Sequence, residues 1–141
     1  TNIRMRLVNP PDEGGKYRPY KSGLPAALFI AEPDKKVENR TLVVEGEIKS
    51  MVSFITADDP GLQVVGIPGK NPSAKIIEKL KDCDPIYLCL DPDADPATMA
   101  GDLGKERVRI IKLPEKIDDL ILNNGLDKGF MSRIMSLARK V

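Results

Sequence analysis

Hydrophobic residues recur along the chain in short blocks that alternate between strand-like and helix-like patterns. Four blocks rich in branched apolar residues are typical of buried strands and lie at 41–44, 63–67, 86–90 and 107–113. Segments with apolar residues at helical spacing follow them at 48–55, 72–80, 95–103 and 117–124, and a last helix is predicted after position 127. This alternation predicts an α/β fold with a central, mainly parallel four-stranded sheet flanked by helices.

The helical segments carry boundary signals of their own. Asn71 and Asp127 are predicted N-caps, Asp95 with Pro96 is predicted to open the third helix, and Gly104 is predicted to end it. The first helix is predicted to carry one apolar face formed by Ile48, Met51, Val52 and Ile55.

The first 40 residues have a less regular pattern. Residues 4–8 suggest a short strand, and 26–31 form a short apolar segment that suits either a helix or a strand. Residues 16–21 are basic and contain two tyrosines. They suit a solvated hairpin arm, or a contact in which Lys16 and Arg18 hold phosphates while tyrosines stack on bases. We therefore expect residues 1–40 to form an N-terminal extension and 41–141 to form the α/β domain.

Composition narrows the possible chemistry. The 141 residues suffice for one domain, and a net charge of +1 gives no general electrostatic case for nucleic acid, so such contact would need a local patch or metal ions. The absence of histidine excludes Ser-His and Cys-His catalysis and histidine-ligated zinc. No apolar run reaches the length of about 18 residues that predicts a membrane span. Cys83 and Cys89 suit reduced structural thiols, which predicts a cytoplasmic protein.

Acidic residues follow two of the predicted strands. Glu45 ends the first strand, and Asp91 and Asp93 follow the third. Because parallel strands end at the same edge of a sheet, these carboxylates are expected to converge if the two strands are neighbours. Carboxylates alone favour Mg²⁺ or Mn²⁺, which can clamp phosphate oxygens, and Glu45 would suit a general acid or base. Taken singly, each motif also suits a helix N-terminus or a proline turn.

The order Glu45-Gly46-Glu47, then Asp91-Pro92-Asp93, each after a strand, resembles a Toprim domain. This is the catalytic domain shared by bacterial-type DNA primases, type IA and II topoisomerases, recombination proteins and some nucleases. The resemblance covers about residues 41–124. The Glu-Gly-Glu form, the segment 16–25 and the strand and turn at 64–69 are most similar to the primase branch, which includes primase-helicases of phages and plasmids.

The resemblance implies the catalytic domain of a DNA primase or primase-helicase, which makes an RNA primer on a single-stranded DNA template. Its catalytic residues would be Glu45, Asp91 and Asp93, holding Mg²⁺ or Mn²⁺, with Gly46 and Gly69 in structural roles. Nucleotides and template DNA would be the ligands, and fused or associated zinc-binding and helicase domains the partners. A Toprim nuclease and a non-catalytic nucleic-acid-binding Toprim module remain the alternatives.

Two lysines depart from the primase pattern. Lys49 stands two residues after Glu-Gly-Glu, where primases usually have aspartate, and Lys116 falls near the first aspartate of their late acidic segment. We therefore expect at most one well-formed metal site, with Lys49 replacing part of a second cation's charge. Asp119 suits an outer metal ligand or a helix N-terminus equally well. Lys49 and Lys70 each suit a phosphate contact, and Lys70 also suits a solvated loop lysine.

Overall fold

The computed structural model describes residues 4–6, 17–19, 27–33, 40–124 and 127–141. Its strands are β1 (Arg4–Arg6), β2 (Tyr17–Pro19), β3 (Phe29–Ile30), β4 (Thr41–Glu45), β5 (Gln63–Ile67), β6 (Ile86–Cys89), β7 (Val108–Ile110) and β8 (Arg139–Lys140). Its helices are α1 (Glu47–Ala57), α2 (Ala74–Leu80), α3 (Ala97–Leu103), α4 (Ile117–Asn123) and α5 (Lys128–Ser136). None of the described helices is long and apolar enough to cross a membrane.

The main sheet has six strands in the order β3-β5-β4-β6-β7-β8. The predicted parallel core is confirmed, because β5, β4, β6 and β7 pair in parallel. The prediction of only four strands is wrong, since β3 and β8 add antiparallel edges next to β5 and β7. Each edge strand has two residues, which is too short to produce a readable alternation. The segment 26–31, for which helix and strand were both open, therefore contains a strand.

A separate two-stranded sheet forms in the N-terminal region. β1 pairs antiparallel with β2, with Met5 opposite Arg18. The strand predicted from residue 4 is thus confirmed over Arg4–Arg6, and the basic segment supplies the other arm of the pair. Lys16 lies outside the described residues, as do Tyr20 and Lys21.

Hydrophobic side chains pack on both faces of the main sheet. Because side chains alternate along β4, Val43 enters one half of the core, and Leu42 and Val44 enter the other. The first half is completed by residues of α2 and α3: Ile76, Ile77, Leu80, Met99, Ala100 and Leu103. The second half is completed by residues of α4 and α5: Ile117, Ile121, Met131 and Ile134. This two-sided burial confirms the prediction that helices flank the sheet.

Helix α1 turns most of its predicted apolar face outward. Ile48, Met51 and Ile55 are 52%, 49% and 69% exposed. The buried residues of α1 are instead Ser50, Ser53 and Thr56, and only Val52 of the predicted face is half-buried against the core. Small side chains let α1 lie close to the sheet, and that close approach decides which face is buried.

Three of the four predicted helix boundary signals are confirmed. The Asp95 side chain accepts a hydrogen bond from Ala97 N at 3.0 Å, and Asp127 accepts one from Gly129 N at 3.0 Å. Gly104 ends α3 with φ +95°. Asn71 is not an N-cap, because Ser73 keeps an extended backbone and α2 begins only at Ala74.

Candidate active site

The parallel pairing of β4 with β6 brings the two acidic motifs together. Thr41 pairs with Ile86 and Val44 with Cys89, so both strands reach the same edge of the sheet. Glu45 is the last residue of β4, and Asp91 follows two residues after the end of β6. Asp91 N donates a hydrogen bond to Glu45 Oε1 at 3.1 Å. We call this edge, with Glu45, Asp91 and Asp93, the acidic edge.

Two glycines determine where Glu45 lies. Gly46 has φ +85° and ψ 162°, a conformation that is essentially restricted to glycine, and its N–H donates to Ile67 O at 2.8 Å. Gly66 lies under this turn, where an added Cβ would come within 2.5 Å of Gly46 O and 3.3 Å of Ser50 Cβ. The turn from β4 into α1 is therefore pressed onto β5. Sequence reasoning missed Gly66, although a glycine inside a β-branched strand is a signal of close backbone approach.

Lys49 binds Asp91 across the acidic edge. Its Nζ lies 2.7 Å from Asp91 Oδ2, and both side chains are 14% exposed. Lys49 lies at the start of α1, four positions after Glu45, so the same tight turn that places Glu45 also places this ammonium group. The predicted phosphate contact is thus found in an ion pair with a predicted metal ligand.

Asp93 lies in a more exposed position at the acidic edge. Lys70 Nζ contacts Asp93 Oδ2 at 3.1 Å, with side chains 53% and 74% exposed. The hydrogen bond and the positive charge of Lys70 lower the pKa of Asp93, and the charge of Lys116 lowers it further. Gly69, with φ +152°, precedes Lys70 in the turn after β5. Lys116, singled out as a departure from the primase pattern, therefore acts on the same edge.

Glu45 is the carboxyl group whose ionised form is disfavoured. Burial is the largest cause that raises the pKa of Glu45, and the negative charges of Asp91 and Asp93 raise it further. The hydrogen bond from the Asp91 backbone and the positive charge of Lys49 oppose this rise without cancelling it. Glu45 would therefore gain from an additional cation, and it is suited to take up a proton.

The donor set fits a hard divalent cation in kind, because Glu45 and Asp91 offer neighbouring carboxylate oxygens in a partly buried position. Among the described residues, however, no group of three or more potential ligand side chains is gathered as a metal centre. Asp91 and Asp93 are each engaged by a lysine. A divalent ion at this edge would have to compete with those lysines.

The remaining predicted site residues lie elsewhere. Asp119 is exposed in the first turn of α4, where an acidic side chain is favoured by the helix N-terminus. Arg18 lies in β2, and Lys16 lies outside the described residues. A crevice of about 120 Å³ opens beside Asp91 between the ends of β6 and β7. Its lining is mostly apolar and includes Leu90, Pro92 and Leu113.

Comparison with solved structures shows which proteins this fold is similar to. The DnaG catalytic core superposes with a TM-score of 0.66 over 99% of this chain, at 20% sequence identity. The chain has the fold of a primase catalytic core. A chain in a structure of the bacteriophage T7 lagging-strand DNA polymerase with primase domains of two gp4 subunits, an RNA/DNA hybrid and dTTP matches with a TM-score of 0.54. That match covers 84% of this chain at 20% identity.

The predicted α/β fold is confirmed as that of a primase catalytic core by the DnaG structure. The chain spans about half the length of the DnaG core, 49%, and 64% of the T7 chain. No family model and no curated protein matches the sequence. The likeness to the DnaG core is therefore a likeness of fold.

Replacing Gly66 with alanine should displace the turn that carries Glu45. The added Cβ meets backbone at Gly46, so relief requires a backbone shift, and we expect the variant to lose about 1–3 kcal/mol of unfolding free energy. Gly101→Ala is the matched control, because no atom lies within 4 Å of its added Cβ and alanine favours the helix. Urea denaturation measures both. Equal stability of the two variants would contradict the close approach.

Glu45→Gln should stabilise the metal-free protein at neutral pH. A raised folded-state pKa means that protonated Glu45 contributes stability that is fully present below about pH 4.5 and lost as pH rises through the raised pKa. Glutamine keeps an acceptor for Asp91 N without this loss. Urea denaturation in EDTA should show an advantage at pH 7.5 that shrinks towards pH 4, whereas exposed Asp82→Asn should show none. A deficit at every pH would contradict the assignment.

Proposed function

We propose that this chain is the catalytic domain of a DNA primase or primase-helicase, which synthesises RNA primers on single-stranded DNA with the help of a divalent metal ion. The observation that carries the proposal is the hydrogen bond between Asp91 N and Glu45 Oε1 at the carboxyl edge of the parallel sheet. It unites two acidic motifs whose order resembles the primase pattern. The fold shared with primase cores supports the same proposal.

Glu45 and Asp91 are the residues that would hold Mg²⁺ or Mn²⁺, with Asp93 nearer the solvent. Such an ion supplies positive charge for the phosphate oxygens of the nucleotide. Glu45, whose pKa is raised by burial, would accept a proton from the attacking primer hydroxyl. Lys70, exposed at the edge, would bind a nucleotide phosphate as a point charge. The crevice beside Asp91 offers apolar surface for the nucleotide next to these charges.

Template binding would draw on surfaces outside this site. The net charge of +1 provides little of the phosphate attraction that dominates affinity for DNA. We therefore propose that zinc-binding and helicase domains, fused or associated, contribute to template binding, together with Lys16 and Arg18. The free thiols of Cys83 and Cys89, both buried, support a cytoplasmic location.

A second candidate is a nucleic-acid-binding module without catalysis. The observation that favours it is the pairing of both aspartates with lysines, Asp91 with Lys49 and Asp93 with Lys70. In that case the two aspartates would stabilise the fold at the acidic edge through these ion pairs. Substitution of Asp91 would then leave the activity of the full-length protein unchanged.

Primer synthesis by the full-length protein tests the proposal. We expect ribonucleotide incorporation on single-stranded DNA that requires Mg²⁺ or Mn²⁺. Glu45→Gln and Asp91→Asn should each reduce it by about 100-fold or more, the scale of losing a positioned acid–base group. Asp82→Asn, which removes an exposed carboxylate after α2, is the matched control and should retain full activity.

Two other results of this assay would favour the alternative functions. Cleavage of the template without primer synthesis, abolished by the same two substitutions, would replace the primase proposal with a nuclease. Unchanged primer synthesis in Asp91→Asn would show that the acidic edge is not catalytic, and would favour the binding module.

A further inference from the structure

We infer that Lys49 is a resident cation of the acidic edge, which holds Asp91 in the metal-free protein and competes with a divalent ion for that carboxylate. The inference deepens the proposed function and rests on its metal site. It concerns the occupancy of the site, which is measured by metal binding and does not depend on an assay of primer synthesis.

The geometry of the Lys49–Asp91 pair sets it apart from an ordinary surface ion pair. The 2.7 Å contact joins two side chains that are each 14% exposed, so solvent and salt screen the attraction weakly. The backbone of Lys49 is restrained, because α1 begins in the turn that is pressed onto Gly66. The backbone of Lys49 therefore stays at the acidic edge, and only its side chain can move away from Asp91.

The Lys70–Asp93 pair provides an internal comparison. Its contact is 3.1 Å and its side chains are 53% and 74% exposed. Solvent-exposed pairs of this kind contribute little, because water and salt screen them and both side chains lose freedom when they meet. Removing Lys70 should therefore affect a metal ion at the edge much less than removing Lys49.

Charge at the edge is nearly balanced before any metal binds. The carboxylates are those of Glu45, Asp91 and Asp93, and the lysines acting on them are Lys49, Lys70 and Lys116. A divalent ion that binds Asp91 must approach the ammonium of Lys49 and displace it from Oδ2. Once displaced, Lys49 lies beside the same edge, where its charge suits a phosphate oxygen of the bound nucleotide.

Calorimetric titration of Mn²⁺ into the full chain at pH 7.5 tests the competition. Lys49→Met removes the charge and keeps an unbranched side chain, and it should bind Mn²⁺ at least about tenfold more tightly than the natural protein. Lys49→Arg keeps the charge and should retain the natural affinity. Lys70→Met, the exposed control, should change affinity by less than about threefold.

A second measurement covers the risk that Lys49→Met is too unstable to titrate. Lys49→Gln removes the charge and keeps an N–H donor for Asp91, and it should show the same tightening. The rise in melting temperature from EDTA to saturating Mn²⁺ should be larger for either neutral variant than for the natural protein, since tighter binding to the folded state gives more stabilisation.

The results separate this inference from the proposed function. Unchanged or weaker Mn²⁺ binding in both neutral variants would overturn the inference, even if the protein makes primers. An equal gain in Mn²⁺ affinity in Lys70→Met would also overturn it. The Lys49 ammonium at Asp91 would then compete with the metal ion no more than an exposed lysine does. Tighter binding in the neutral variants, with no primer synthesis by the natural protein under any metal, would support the inference and overturn the proposed function.

Discussion

The parallel pairing of β4 with β6 is the constraint on which the site depends. It brings two acidic motifs to one edge of the sheet, where Asp91 N donates a hydrogen bond to Glu45 Oε1, 46 positions away in sequence. The turn that follows β4 is fixed by Gly46 and by its close approach to Gly66 on β5. Three strands therefore cooperate to place one glutamate. A change in any of the three would move Glu45 relative to Asp91.

Unfavourable electrostatic interactions are concentrated at the acidic edge. Burial disfavours the charge on Glu45, and the neighbouring aspartates add to the cost. Lysines on α1 and on the turn after β5 offset it by binding Asp91 and Asp93. A cation stabilises these carboxylates, and the lysine side chains supply that positive charge when no metal ion is bound. The two ion pairs differ in burial, so their contributions to the edge differ as well.

Sequence patterns predicted the four parallel strands of the core and the strand ends that carry Glu45 and Asp91, because period and strand order suffice for these. They did not predict the two-residue edge strands β3 and β8. They did not predict which face of α1 is buried, since Ser50 and Ser53 lie inward only where helix and sheet approach closely. Nor did they predict the lysine pairs at Asp91 and Asp93, which join residues 42 and 23 positions apart. Such contacts depend on tertiary distances that no local pattern encodes.

We propose that Glu45 and Asp91 together form a cation site that Lys49 occupies in the absence of metal. A crystal structure of the protein soaked in Mn²⁺, with anomalous data, would locate the ion. We predict one anomalous peak within about 2.0–2.4 Å of oxygens from both carboxylates, with Lys49 Nζ displaced from Asp91. A fully soaked crystal with the Lys49–Asp91 contact intact and no peak between the two carboxylates would show that Glu45 and Asp91 do not form a metal site.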